Sequence, residues 1–184
     1  KMLKGVGLAS AGPMHIGRGE LINPSNFKGW KKVPLVSRLS ESLSARGLEK
    51  KIDFQNDAIA ASLGEGWTGA AKGCNTYVTV TVGTGIGTGV IFNGRPAQSA
   101  GMGSEWGHMI GFSPGSMRDP KNMSDREVEG LASGTGLVRQ AHLRGWDFSS
   151  AAEIAQAADD GDERALELFT QSSEALAGLF YSLS

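Results

Sequence analysis

The chain has 184 residues, enough for one good hydrophobic core or two small ones. Its 18 Lys/Arg and 19 Asp/Glu leave a formal net charge of −1, which gives no electrostatic footprint for nucleic acid or for an acidic membrane surface. A single cysteine, Cys74, excludes an internal disulfide and a cysteine-built zinc site, so a reducing, cytoplasmic setting is expected. No apolar run reaches the roughly eighteen residues of a membrane span, and the polar, glycine-rich stretch after Lys1-Met2-Leu3-Lys4 does not read as a signal peptide. The compositional outlier is glycine. Its 27 residues are about twice the usual share, without a collagen-like period, which points to many turns and close backbone approaches.

In chain order, residues 2–10 read as a strand stopped by Gly12-Pro13, and residues 11–33 as loop, with Asn23-Pro24 and Lys28-Gly29 as turns. The lysines at 28, 31 and 32, like Lys50 and Lys51, read as solvated loop charge. Leu35, Leu39 and Leu43 recur every four residues, predicting an amphipathic helix from Pro34 to Gly47. A short strand, Ile52–Gln55, follows, and Asn56-Asp57 then opens an alanine-rich helix. A glycine-containing linker between Trp67 and Asn75 marks the expected boundary between a smaller lobe, residues 1–70, and a larger one, residues 71–184.

Thr76–Val82 alternates as a strand, the glycines at 83, 85, 87 and 89 form the tip of a hairpin, and Val90–Phe92 continues it to a tight turn at Asn93-Gly94. Residues 95–125 look irregular. Helices are expected past Gly134 to about Leu143, across Ala151–Ala158 behind a Ser149 or Ser150 cap, and from about Asp162 onwards. The last of these would lay Leu166, Phe169, Leu176, Phe180 and Leu183 along one stripe. Strand–helix–strand–helix–hairpin–helices is an α/β order.

Taken singly, the chemistry-bearing residues admit plain readings. The turn Gly83-Thr84-Gly85 could present a nest of N–H groups to phosphate oxygens, with Thr84 and Thr88 adding hydroxyls, or could be a simple glycine-rich turn. It is neither a Walker loop nor a dinucleotide fingerprint, because a strand follows it. Asn56-Asp57 suits a helix cap as well as a site at a strand end. Glu105 and His108 suit an exposed loop, and Glu129 a solvated helix start.

Their order and spacing are more specific. "NDAIAASLGE" (56–65), "VTVGTGIGTGVIFNG" (80–94), "SEWGHM" (104–109) and "EGLASGTGL" (129–137) together resemble the ROK family of sugar kinases and repressors. "GVGLASAGP" (5–13) and "NFKGWKKVPL" (26–35) are similar to that family's sugar-side loops. The resemblance implies an actin-like, two-lobed ATPase fold of the ribonuclease H-like class. It implies Asp57 as general base and Asn26, Asn56, Glu105, His108 and Glu129 as sugar ligands, with Gly12 beside them. It also implies Gly83, Thr84 and Gly85 as contacts to ATP phosphates and Mg²⁺ as the accompanying cation.

The implied activity is ATP-dependent phosphorylation of a hexose, glucose first, with N-acetylmannosamine, N-acetylglucosamine, mannose or fructose as alternatives. A sugar-responsive repressor is the alternative from another class. A homodimer, with no nucleic-acid or membrane partner, is implied as well. Two family features are expected outside the sequence: a first phosphate loop before residue 1 and an adenosine-binding segment after residue 184. A third is altered. Family members carry a cysteine cluster that holds a structural zinc together with the histidine, whereas Met109–Val128 has no cysteine and Glu127 stands where the last would fall. No metal ligand is therefore assigned, and His108 needs another partner to fix its orientation.

Overall fold

The computed structural model describes residues 4–24, 27–99, 103–119 and 121–184. The chain divides into two compact units. One is Lys1–Thr79 with Gly89–Ser104, and the other is Val80–Thr88 with Glu105–Ser184, so the division runs through the hairpin and residues 67–75 lie inside the first unit.

In the first unit, strand β1 (Val6–Ser10) pairs in parallel with β5 (Ile52–Asn56), Val6 opposite Ile52 and Ser10 opposite Asn56. The stretch expected to be loop contains a small antiparallel meander of β2 (Met14–His15), β3 (Glu20–Ile22) and β4 (Lys32–Val33). Strands this short show no alternation to read. What fixes them is burial, because Met14, Leu21 and Val33 join Phe54 in one apolar cluster. Helix α1 (Leu35–Ser44) packs its Leu35 and Val36 against that cluster.

Helix α2 (Asp57–Thr68) starts where β5 ends, and the Asn56 side chain accepts the Ile59 N–H at 3.1 Å as a cap. Strands β6 (Tyr77–Val82), β7 (Ile86–Phe92) and β8 (Arg95–Pro96) form a sheet in that order. Gly87 and Gly89 are thus strand residues and not part of the hairpin tip, which is confined to 83–85. Gly89 has a packing reason: a Cβ there would fall inside the Ser62 side chain and 2.8 Å from the Ala58 carbonyl, so its absence lets α2 lie close on β7.

The helices of the second unit are α3 (Val128–Ala132), α4 (Gly134–Leu143), α5 (Ala151–Asp159) and α6 (Glu163–Leu183). Ser133, Ser150 and Asp162 cap the last three through their side chains. One core cluster gathers Ile86, Val128, Leu131, Ala132, Ala175 and Leu179; another gathers Leu137, Ala141, Phe148, Ile154, Ala165 and Leu168. The expected α6 stripe holds in part: Phe169, Leu176 and Leu183 are partly buried against the two clusters, but they do not form the buried line. The buried line is Ala165, Leu168, Gln171, Ser172, Ala175 and Leu179, while Leu166 and Phe180 are about half exposed. Apolar size misled the reading, because small and polar residues allow the close approach to α3. Gln171 Nε2 and Ser172 Oγ donate to the Leu131 and Ala132 carbonyls at 3.3 and 3.4 Å. Among the described residues no helix is long and apolar enough to cross a membrane.

The two faces of α6 give a direct check. Leu168→Ala, at a fully buried position, should destabilise the protein by about 2–5 kcal/mol. Leu166→Ala should stay within about 0.5 kcal/mol in the same urea-unfolding measurement.

Candidate functional site

The predicted residues fall into two sets, one in each unit. In the first unit the parallel pairing of β1 with β5 carries the chain to Asn56, and α2 begins on the next residue. Asp57 is exposed, and its Oδ1 accepts the Ala58 N–H at 2.9 Å, which steadies the carboxylate at the helix N-terminus. Asn56 uses an Oδ1 lone pair for its cap, so its Nδ2 is the group left to donate outward. Gly12 adjoins it: a Cβ on Gly12 would stand 4.0 Å from Asn56 Nδ2. Asn26 lies outside the described residues.

In the second unit the turn 83–85 is gripped from several sides. Gly83 N–H donates to the Gly85 carbonyl at 3.0 Å. The Gly83 and Thr84 carbonyls accept the Gly134 and Thr135 N–H groups at 2.8 and 3.3 Å, which docks the turn on the N-terminus of α4. Glu129 Oε2 accepts the Ile86 N–H at 2.7 Å, and a Cβ on Gly85 would lie 2.5 Å from that same oxygen. Glu129 therefore sits against the turn 83–85, and glycine at 85 is what admits it. Gly83 and Thr84 are exposed. Thr88 is not a site group: it is buried, and its Oγ1 accepts the Trp106 N–H at 3.0 Å.

Glu105, exposed, precedes a 3-10 turn at Trp106–His108. His108 Nδ1 lies 2.8 Å from Glu127 Oε2. The pair is brought together by a short ladder in which Gly111 N–H donates to the Arg126 carbonyl and Val128 N–H to the Met109 carbonyl, at 2.7 and 2.9 Å. The His108 pKa is raised above its usual 6.5, mainly by the hydrogen bond to Glu127, against a smaller opposing effect of burial, with the charges of Glu127, Glu129 and Glu105 adding to the rise.

The rest of the loop is held by a second polar cluster. Asp125 is buried and accepts from Arg139 Nε and Nη2, both at 3.2 Å, from Asn122 Nδ2 at 3.0 Å and from the Asp119 N–H at 3.0 Å. Among the described residues no group of three or more His, Cys, Asp or Glu side chains could hold a metal.

Beside the turn is a groove of about 650 Å³ lined by Gly83, Thr84, Gly134, Thr135, Arg139, His142, Ser149 and Ser150, among others. The N-terminal residues of α4 and α5 line it beside Arg139. His142 Nε2, 2.8 Å from the Phe148 carbonyl, donates to it. None of the α4 and α5 residues lining the groove was assigned a site role from sequence, although Ser149 and Ser150 were visible as caps. Helix N-termini that converge only in three dimensions leave no local pattern.

The model of the ROK family matches residues 1–183 of the chain. A glucokinase of Thermotoga maritima is 37% identical over 136 residues, covering 73% of this chain and 40% of the relative. A fructokinase of Zymomonas mobilis is 34% identical over 143 residues, covering 73% and 45%. The solved structure of a ROK hexokinase from Thermus thermophilus superposes with a TM-score of 0.75 at 28% identity, over 98% of this chain and 57% of that one. The chain thus spans less than half the length of the two curated relatives.

The His108–Glu127 pair has a signed pH dependence. Because folding raises the histidine pKa, the pair's stabilisation is complete below the unfolded value of about 6.5 and is lost as pH rises through the folded value. In an NMR titration of the ring protons, the His108 midpoint should lie above about 6.5 and move down in Glu127→Gln.

Proposed function

Because this chain belongs to the ROK family, we propose that it carries the sugar-binding and phosphate-binding portion of an ATP-dependent hexose kinase, with the 6-hydroxyl of glucose as acceptor. The observation that carries this reading is Asp57, an exposed carboxylate steadied at the first turn of α2 through one oxygen, so that the other is available to a proton. As the sugar oxygen attacks the γ-phosphorus, Asp57 takes the hydroxyl proton; the bond from that phosphorus to the β–γ bridging oxygen breaks, and ADP departs. Asn56 Nδ2 donates to a neighbouring hydroxyl. Glu105, His108 and Glu129 read further hydroxyls, with Asn26 and Gly12 closing the sugar site.

The turn 83–85 and the groove beside it take the nucleotide. Thr84 and Gly85 offer main-chain N–H groups to phosphate oxygens, and the helix N-termini and Arg139 favour the polyphosphate's charge. Mg²⁺ suits hard oxygen donors such as the ATP phosphates, and when bound would supply neutralisation of the transferring group's charge.

Glucose stands first because the Thermotoga relative is a glucokinase; the fructokinase relative makes fructose the nearest rival. The repressor reading is disfavoured by the Asn56-Asp57 pair, since sensing requires binding residues and no base. In the complete protein, Asp57→Ala should lower kcat by about 10²–10⁴-fold with glucose affinity by calorimetry little changed. A near-normal kcat would remove Asp57 from its role. ADP release measured over a panel of hexoses and N-acetylhexosamines should show the highest kcat/KM with glucose.

A further inference from the structure

The loop between His108 and Glu129 does not fit the metal that its family resemblance implies. A structural zinc takes four N or S donors in a tetrahedron. The segment Met109–Val128 contains no cysteine, and the chain's one cysteine, Cys74, is exposed and belongs to the first unit. His108 Nδ1, the nitrogen facing the loop, is already engaged by Glu127 at 2.8 Å.

We infer that Glu127 is a positioning residue that orients His108 directly, so that this site works without a structural metal. The inference rests on His108 being a sugar ligand, as proposed above. A carboxylate is acceptor-only, so Nδ1 must keep its hydrogen, and only Nε2 differs between the neutral and charged ring. The ring is thereby fixed in orientation and in which nitrogen bears the obligatory proton, the same service a metal's partner group performs for a ligating histidine.

Glu127 is itself fixed by main chain. Its N–H donates to the Ser124 carbonyl at 3.2 Å, and it bridges to Ile110 across the loop. The other end of the loop is tied by Asp125 to Arg139, at 3.2 Å through two nitrogens. The loop thus carries two ionic staples, one on each side of Arg126, and needs no ion between them.

The test uses the complete protein and its variants Glu127→Ala, Glu127→Gln, His108→Ala and Glu127→Ala/His108→Ala. Glu127→Ala should raise the sugar KM about tenfold while leaving kcat and the ATP KM within about twofold. Glu127→Gln, which keeps an acceptor oxygen, should recover most of that loss. In the double variant the two effects should not multiply.

Full multiplication would show that Glu127 acts independently of His108. A parallel fall in every kinetic constant together with Tm would show a merely structural role. Either result overturns the inference, as does an unchanged sugar KM in Glu127→Ala. Two further readouts stand apart from catalysis. Nitrogen-15 NMR of the His108 ring should show Nδ1 protonated in the wild type and that preference lost in Glu127→Ala. Elemental analysis of the protein as purified should find no stoichiometric zinc, and EDTA dialysis should leave its Tm unchanged. Stoichiometric zinc whose removal lowers Tm would refute the metal-free staple. If the wild type phosphorylates no hexose, the kinase reading fails while these two readouts still decide the role of Glu127.

Discussion

The second unit is organised around one turn whose carbonyls and whose neighbouring amide are all engaged. Gly83 and Thr84 give their carbonyls to the first amides of α4, and Ile86 gives its amide to Glu129. This arrangement solves two problems at once. The N-terminus of α4 has orphan N–H groups that need acceptors, and a three-residue turn has carbonyls that need donors. Each satisfies the other, and the turn becomes as rigid as the helix it rests on. Glu129 completes the lock from α3, which is separated from α4 by Ser133 alone. A turn held this way is preorganised by its own hydrogen bonds.

That rigidity depends in turn on where α3 lies, and α3 is fixed on two sides. Its apolar residues Val128, Leu131 and Ala132 are buried with Ala175 and Leu179 of α6. Its entry is held by the loop carrying the His108–Glu127 and Asp125–Arg139 pairs. The two pairs differ physically. Asp125 is buried and saturated with donors, so removing Arg139 would strand a charge in the interior. The His108 side chain is 53% exposed, so its pair with Glu127 is solvent-screened and acts mainly on orientation.

How legible this was in the sequence depended on whether the signal was local. The helices from Leu35, Asp57, Gly134, Ala151 and Glu163 lie where periodicity and capping residues put them, because a cap and its helix are neighbours in the chain. The Asn93-Gly94 turn was legible for the same reason, both residues taking the positive φ that such a turn demands. The meander of β2 to β4 was hidden, since two- and three-residue strands are defined by their partners and not by their own pattern. The α6 stripe was legible only in part: Phe169, Leu176 and Leu183 do pack on the core, but the fully buried line includes alanine, serine and glutamine that close approach selects. Within the site, the ordered motifs carried the recognition of the family, and His108's need for a partner was visible. Glu127 as that partner required the ladder between residues 109–111 and 126–128.

Arg139 shows why the groove's chemistry escapes any one-dimensional reading. The residue lies outside every motif quoted from the sequence, yet it both lines the groove and anchors the loop. Its Nε and Nη2 are committed to Asp125, which leaves Nη1 as the nitrogen not engaged by that carboxylate. A guanidinium tied bidentately to a buried carboxylate cannot swing to follow a ligand; it presents a fixed donor at a fixed place. The attraction it offers to an anion is reduced by the carboxylate behind it.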